Sequence, residues 1–158
     1  MRLERISEEN RKEANCFIEE NWFTTDMAIR GELIDMTCTE GFAAYEDGEM
    51  CGLVTYRLCD DSTLEILSID SKIENHGHGS LLLETAVCYA VEHECRRICV
   101  VTTNDNLNAL RFYQKRGFVI SEIRQQAVER DRELKPQIPV IGYNGIPVNC
   151  EIELVRVL

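Results

Sequence analysis

No run of the sequence approaches the ~20 apolar residues that a membrane helix requires. The opening MRLERISEENRKEANCF is too charged for a secretory signal. Both absences predict a soluble, cytoplasmic protein without a membrane partner. Cys-x-x-Cys never occurs among the eight cysteines (16, 38, 51, 59, 88, 95, 99 and 150), which argues against a zinc or disulfide framework. Most of them lie inside apolar periodic segments and are expected to be reduced, buried small hydrophobes. Positive charge is scarce, with 17 Lys and Arg against 28 Asp and Glu and a net charge of −11. Such a chain repels polyanions, so nucleic acid is not an expected partner, and a cationic substrate suits it. Internal repeats, low-complexity tracts and composition breaks are also missing, which leaves one domain over residues 1–158. A domain of that length buries roughly 70% of the surface its unfolded chain exposes.

The chain does carry regular patterns. Ser7, ahead of Glu8, Glu9 and Asn10, suits an N-cap, and Ala14, Phe17, Ile18 and Trp22 recur at helical spacing. The spacing predicts a helix over Ser7–Asn21 and a second, short one over Asp26–Met36. Gly41–Tyr45 and Met50–Arg57 read as strands joined by a hairpin at Asp47-Gly48. Ser62–Asp70 is a densely apolar strand of the kind buried on both faces. A helix follows to about Glu94, its stripe formed by Leu82, Leu83, Ala86, Val87 and Ala90. Ile98–Thr103 is a β-branched strand. Asn106 is placed to cap a helix that Gly117 ends. Phe118–Ile123 and Cys150–Val157 are late strands, separated by a loop between Pro136 and Pro147. The order describes a mixed α/β protein.

Gly77-His78-Gly79 stands between a strand and a helix. Glycine allows a close backbone approach, and the first-turn amides of a helix attract anions, so the arrangement suits a phosphate. It also suits a plain turn. Neither the P-loop nor the Rossmann spacing is present, since Leu82 stands where the third Rossmann glycine belongs. His76 and His78 are a competing metal pair, but no third ligand falls at a zinc-type spacing, and no metal is expected.

NHGHGSLLLETA followed by TTNDNLNALRFYQKRGF resembles the GNAT superfamily of acyl-CoA-dependent N-acyltransferases. Gly77 and Gly79 match the loop Gln/Arg-x-x-Gly-x-Gly/Ala. Asn106, Ala109, Tyr113, Gly117 and Phe118 match Asn-x-x-Ala-x-x-x-Tyr-x-x-x-Gly-Phe. Glu74 departs from the usual Gln or Arg. The resemblance implies a three-layer fold with a mixed, mostly antiparallel sheet of about six to seven strands flanked by helices. It also implies acetyl-CoA as co-substrate, a small-molecule or peptide amine as acceptor, and no metal. Oligomeric state is open, with a homodimer one option.

By the same resemblance, Leu67, Ser68 and Ile69 meet the pantetheine arm. The loop Asn75, His76, Gly77, His78, Gly79 and Ser80 meets the pyrophosphate, and Asn104, Asn106, Ala109 and Tyr113 complete the cofactor contacts. Transfer is direct, so no cysteine nucleophile is needed. Tyr113 is the expected general acid to the departing thiolate; periodicity alone reads it as a packing residue beside Phe112. Glu65 is the candidate general base, with Tyr56 and Asp70 as fallbacks, Asp70 being better suited to end its strand by bonding local backbone. Arg96, Arg97, Lys115 and Arg116 are candidates for the 3′-phosphate. A non-catalytic acyl-CoA-binding module and a nucleotide-binding protein of another fold are the competing classes. Tyr113 speaks against the first, and the missing third glycine against the second.

Overall fold

The Asp47-Gly48 hairpin forms as its sequence demands, linking β4 (Glu40–Glu46) to β5 (Glu49–Cys59). The computed structural model describes residues 1–59, 61–72 and 76–158. These fall into two units, one made of Met1–Thr25, Asp35–Ile98 and Leu158, the other of Asp26–Ile34 and Cys99–Val157.

In the first unit the strands run in the order β1 (Arg2–Arg5), β4, β5, β6 (Thr63–Ser71), every pair antiparallel. α1 (Arg11–Trp22) packs on β5, and α2 (His78–Glu92) packs across β4, β5 and β6. The stripe read from the sequence is the buried face of α2, with Leu82, Leu83, Ala86 and Ala90 fully enclosed. Each leucine of that stripe contributes roughly 1.5–3 kcal/mol by leaving water. The ladder slips once on each side of β5. Ala44 pairs with Gly52 and Tyr45 with Met50, which makes Cys51 the extra residue. Thr55 pairs with Ser68 and Tyr56 with Ile66, which makes Leu67 the extra residue on β6.

The second unit has the strand order β7 (Arg97–Thr103, its last five residues in this unit), β9 (Glu151–Val157), β8 (Val119–Arg124). It also holds α3 (Leu107–Gln114) and α4 (Ala127–Leu134). The expected class is the one observed: mixed α and β, with seven main strands, mostly antiparallel, and four α-helices among the described residues. Among the described residues no helix is long and apolar enough to cross a membrane.

The structure corrects several local expectations. Asp26–Met36 is not a helix but a hairpin of β2 (Asp26–Ile29) and β3 (Glu32–Asp35), followed by a 3-10 turn at Met36–Cys38. Its turn residues Arg30 and Gly31 sit at φ of 52° and 71°, a left-handed pair that no helix accommodates. Their amides are claimed by distant carboxylates: Arg30 N–H donates to Glu151 at 2.7 Å and Gly31 N–H to Asp131 at 2.8 Å. Tertiary hydrogen bonds override the local periodicity here. α1 begins at Arg11 rather than Ser7, because the Ser7 amide donates to the Asn10 side chain at 2.8 Å and the chain turns before it coils. β1 and α4 are additions to the sequence reading, since neither segment carries a strong pattern. Only Cys51 and Cys99 of the eight cysteines are buried; Cys16, Cys38 and Cys88 are exposed, on the outward sides of their segments, and all eight are free thiols.

Asp131 and Glu151, each 2% exposed, anchor the second unit. Arg124 Nε donates to Glu151 at 2.8 Å, and its Nη1 reaches Glu153 at 3.0 Å. Burial, then a hydrogen bond with Glu151, raises the Asp131 pKa to about 6. Burial acts on Glu151 in the same sense, but hydrogen bonds from Arg30 N–H and Arg124 outweigh it and hold that carboxyl low. One proton is thus shared between two buried acids, and Asp131 keeps it.

Candidate functional site

In the first unit the site is built around β6. At a bulge the extra residue is left unpaired in the ladder, so Leu67 has no register partner on β5. Beside it the Ser68 and Thr55 hydroxyls bond to one another at 2.9 Å in a buried pair. Glu65 is 1% exposed and accepts from Arg57 Nε at 2.7 Å. A buried carboxylate needs such a partner. Ile69 and Asp70 are half-buried. The Asp70 Oδ2 accepts from the Trp22 indole N–H at 2.9 Å, a tertiary contact with α1, and among the described residues no bond from its side chain to local backbone is seen. Burial raises the Asp70 pKa, against hydrogen bonds from Trp22 and Ser68. Tyr56 is fully enclosed between Phe42 and Tyr89, with burial driving its pKa far up, so this phenol is poorly suited to accept a proton.

Gly77 is the N-cap of α2 at φ 84°, and no side chain among the described residues caps the helix. A Cβ there would meet nothing within 4 Å, so backbone conformation rather than crowding demands the glycine. With no capping side chain among the described residues, this fifteen-residue helix presents its N-terminal dipole to an anion. His76 is exposed, whereas His78 is 5% exposed and turned inward, contrary to the usual placement of a loop histidine. Gly79 and Ser80 follow, partly exposed, in the first turn. Glu74 and Asn75 lie outside the described residues.

In the second unit Asn106 caps α3, accepting from Ala109 N–H at 3.1 Å, as the motif requires. Tyr113 is 6% exposed and packs edge-on against Phe112 and Phe118 at 5.1 and 5.3 Å between ring centroids. Asn104, expected at the cofactor, has its side chain bonded within this unit. It donates to Pro147 C=O at 2.8 Å and accepts from the Asn149 and Cys150 amides at 3.1 and 3.2 Å. Asp105 is a buried acid that the sequence reading does not single out. It is 3% exposed and accepts from Thr103 Oγ1 at 2.5 Å and Tyr143 N–H at 3.0 Å. The Thr-x-Asp of TTNDN is the local signal that points to it.

The four basic candidates differ in surroundings. Arg97 pairs with Asp61 and Thr63 on its own unit. Arg116 stacks over Phe112 at 3.8 Å and donates to its carbonyl at 2.8 Å. Arg96 and Lys115 are exposed.

A bulged strand running toward an uncapped, glycine-led helix, with an Asn-capped, Tyr-bearing helix further along the chain, defines an acyltransferase-type scaffold. Residues 3–118 match the model of the Acetyltransferase (GNAT) family, and the chain belongs to that family. It is 43% identical over 143 residues to the Bacillus subtilis (strain 168) protein YdhI, covering 90% of this chain and 89% of that one. Among solved structures it resembles an IAA acetyltransferase from Bacillus cereus at 24% identity and a TM-score of 0.75, over 99% of both chains. It also resembles a Bacillus subtilis acetyltransferase in complex with CoA, at 22% identity and a TM-score of 0.71, over 99% of this chain and 98% of that one. Those two likenesses establish the fold.

Proposed function

We propose that the chain, acting over 1–158 as one acyltransferase domain, moves an acetyl group from acetyl-CoA to a primary amine on a small molecule or peptide. The observation that carries this reading is the Leu67 bulge on the strand that leads to the Gly77 cap. Amide and carbonyl groups outside a ladder are free to bond an extended pantetheine, and an uncapped helix start suits a diphosphate. Leu67, Ser68 and Ile69 line the pantetheine; His76, Gly77, His78, Gly79 and Ser80 take the pyrophosphate; Asn106 and Ala109 hold α3 in place. An amide at the bulge stabilises the oxyanion formed when nitrogen attacks the thioester. The C–S bond then breaks, and Tyr113 protonates the sulfur as it leaves.

The amine first loses a proton to a β6 carboxylate. Glu65 is the choice implied by the family resemblance. Asp70 is a second reading, favoured by its raised pKa and by the ion pair that engages Glu65.

Thiol release from acetyl-CoA across a panel of primary amines tests the reading. Tyr113→Phe is expected to keep the thermal shift caused by acetyl-CoA but to lower turnover by about 10²–10⁴-fold. A thermal shift with no thiol release on any amine would favour the non-catalytic binding module, and a chemistry-limited Tyr113→Phe within about twofold of wild type would remove the phenol from the reaction.

A further inference from the structure

Three residues far apart in sequence converge beneath the start of α2. Glu46 ends β4, Cys51 is the bulged residue of β5, and His78 is the first residue of α2. One ligand-capable atom from each lies within 4.8 Å of the other two. Cys51 and His78 are 6% and 5% exposed, while the Glu46 side chain is 49% exposed.

Hydrogen bonding does not account for this cluster. His78 Nε2 stands 3.7 Å from Glu46 Oε2, beyond hydrogen-bond range, and His78 Nδ1 is buried with no hydrogen-bond partner among the described residues. The 3.7 Å between His78 and Glu46 and the 4.8 Å bound on all three atoms lie a little beyond the spacing of a closed metal site, close enough for a bound ion to draw them in. With Zn–N and Zn–O near 2.0–2.2 Å and Zn–S near 2.3 Å, tetrahedral ligand atoms sit about 3.3–3.6 Å apart. The bulge is the second sign. Without it Cys51 would continue the strand's alternation, and bulges commonly re-aim one side chain toward a site. The Cys51 thiol donates to Ala44 C=O at 3.3 Å, a bond that ligation of the sulfur would replace.

We infer that Glu46, Cys51 and His78 form a binding site for a thiophilic divalent cation of the zinc type, with the fourth position open to solvent on the Glu46 side. Binding replaces the Cys51 S–H bond with an S–metal bond and releases one proton to solvent, while His78 ligates as the neutral imidazole. The cation ties the first residue of α2 to the β4–β5 hairpin. Sequence spacing could not show the site, because its ligands come from three elements.

The test uses the full chain, stripped with chelator and titrated with Co²⁺ in the absence of acyl-CoA. The expected result is saturable binding of one ion per chain, a near-ultraviolet thiolate-to-cobalt charge-transfer band, and displacement of that band by Zn²⁺. Cys51→Ser abolishes the band, the exposed-thiol control Cys38→Ser keeps it, and Glu46→Gln, at a half-exposed position, weakens binding by about tenfold or more, the usual loss on altering a metal's ligand sphere. A band that survives Cys51→Ser, unchanged affinity in Glu46→Gln, or no saturable binding overturns the site. X-ray absorption of the zinc-loaded wild type needs no variant: a single sulfur with nitrogen and oxygen neighbours supports the site, and no sulfur or several overturns it. Because no acyl-CoA is present, failure here leaves the transferase reading untouched.

Discussion

Replacing Asp131 with asparagine is expected to stabilise the protein at neutral pH and to have no effect in mild acid. Asp131 holds its proton up to about pH 6 in the folded chain, against about 3.9 for a free aspartate. Below about pH 4 the carboxyl is protonated in both folded and unfolded chains, and its full contribution to stability is present. Between about 4 and 6 the unfolded chain gives up the proton while the folded chain retains it, so stability falls as pH rises through that window. Above it, two carboxylates face one another in a buried site. A shift near two units corresponds to about 3 kcal/mol at 1.36 kcal/mol per unit. The opposite shift of Glu151 shares the same interaction, so a net of about 1–3 kcal/mol is the better figure. In Asp131→Asn the new carboxamide still accepts from Gly31 N–H through its carbonyl oxygen. Its NH₂ group donates to Glu151 at every pH, as only the protonated acid does in the wild type. Thermal melts of both proteins, at about pH 4 and about pH 7.5, read the effect. The variant is expected to melt together with the wild type in acid and roughly 2–12 °C above it at the higher pH, at 2–4 °C per kcal/mol. A difference that is the same at both pH values, or an asparagine variant less stable than wild type at the higher pH, would refute the shared-proton account.

Gly79→Glu is expected to abolish the rise of several degrees that saturating acetyl-CoA causes in the melting temperature, without unfolding the protein; a normal response in scanning fluorimetry would show that the loop does not meet the pyrophosphate. Arg57→Ala removes an ion-pair donor from the buried Glu65 carboxylate and should lower stability in urea unfolding, by up to about 3 kcal/mol. Asp70→Asn should flatten the alkaline rise of kcat/KM if Asp70 is the base, while Glu65→Gln does so if Glu65 is; pH–rate profiles of the two separate the readings. No acetyl-cysteine that transfers onward at the turnover rate should be trapped and found by mass spectrometry, since the acyl group passes directly to nitrogen.

Much of this architecture is legible where one physical rule dominates a segment. The α2 stripe follows from helical periodicity, the β4–β5 hairpin from Asp-Gly, and the Asn106 cap from side-chain geometry; each is determined within a few residues. Asp26–Met36 reads wrongly as a helix because its hairpin depends on Asp131 and Glu151, about a hundred or more positions later. The start of α1 is ambiguous because Ser7 and Asn10 are both competent caps, and neither provides a side-chain cap to the helix. The motif residues Gly77, Asn106 and Tyr113 are legible as a pattern. The Leu67 and Cys51 bulges are not, since a ladder slip is a property of two strands and leaves no mark on either alone. For the same reason the Arg57 partner of Glu65 and the inward turn of His78 emerge only from the fold.

The Asn104-Asp105 pair gives the Pro/Gly-rich segment before β9 an unusual status for a connection. Its amides at Tyr143, Asn149 and Cys150 are held by side chains that precede them by 38 to 46 positions. During synthesis those two side chains emerge first and wait for their donors, so this segment seals the second unit late. It also makes the segment a poor place to open the chain. A circular permutation or an inserted tag between Gly142 and Cys150 would uncover a buried carboxylate rather than lengthen a surface loop, and even a methyl group added at Gly142 would press against Asp105 and Val148.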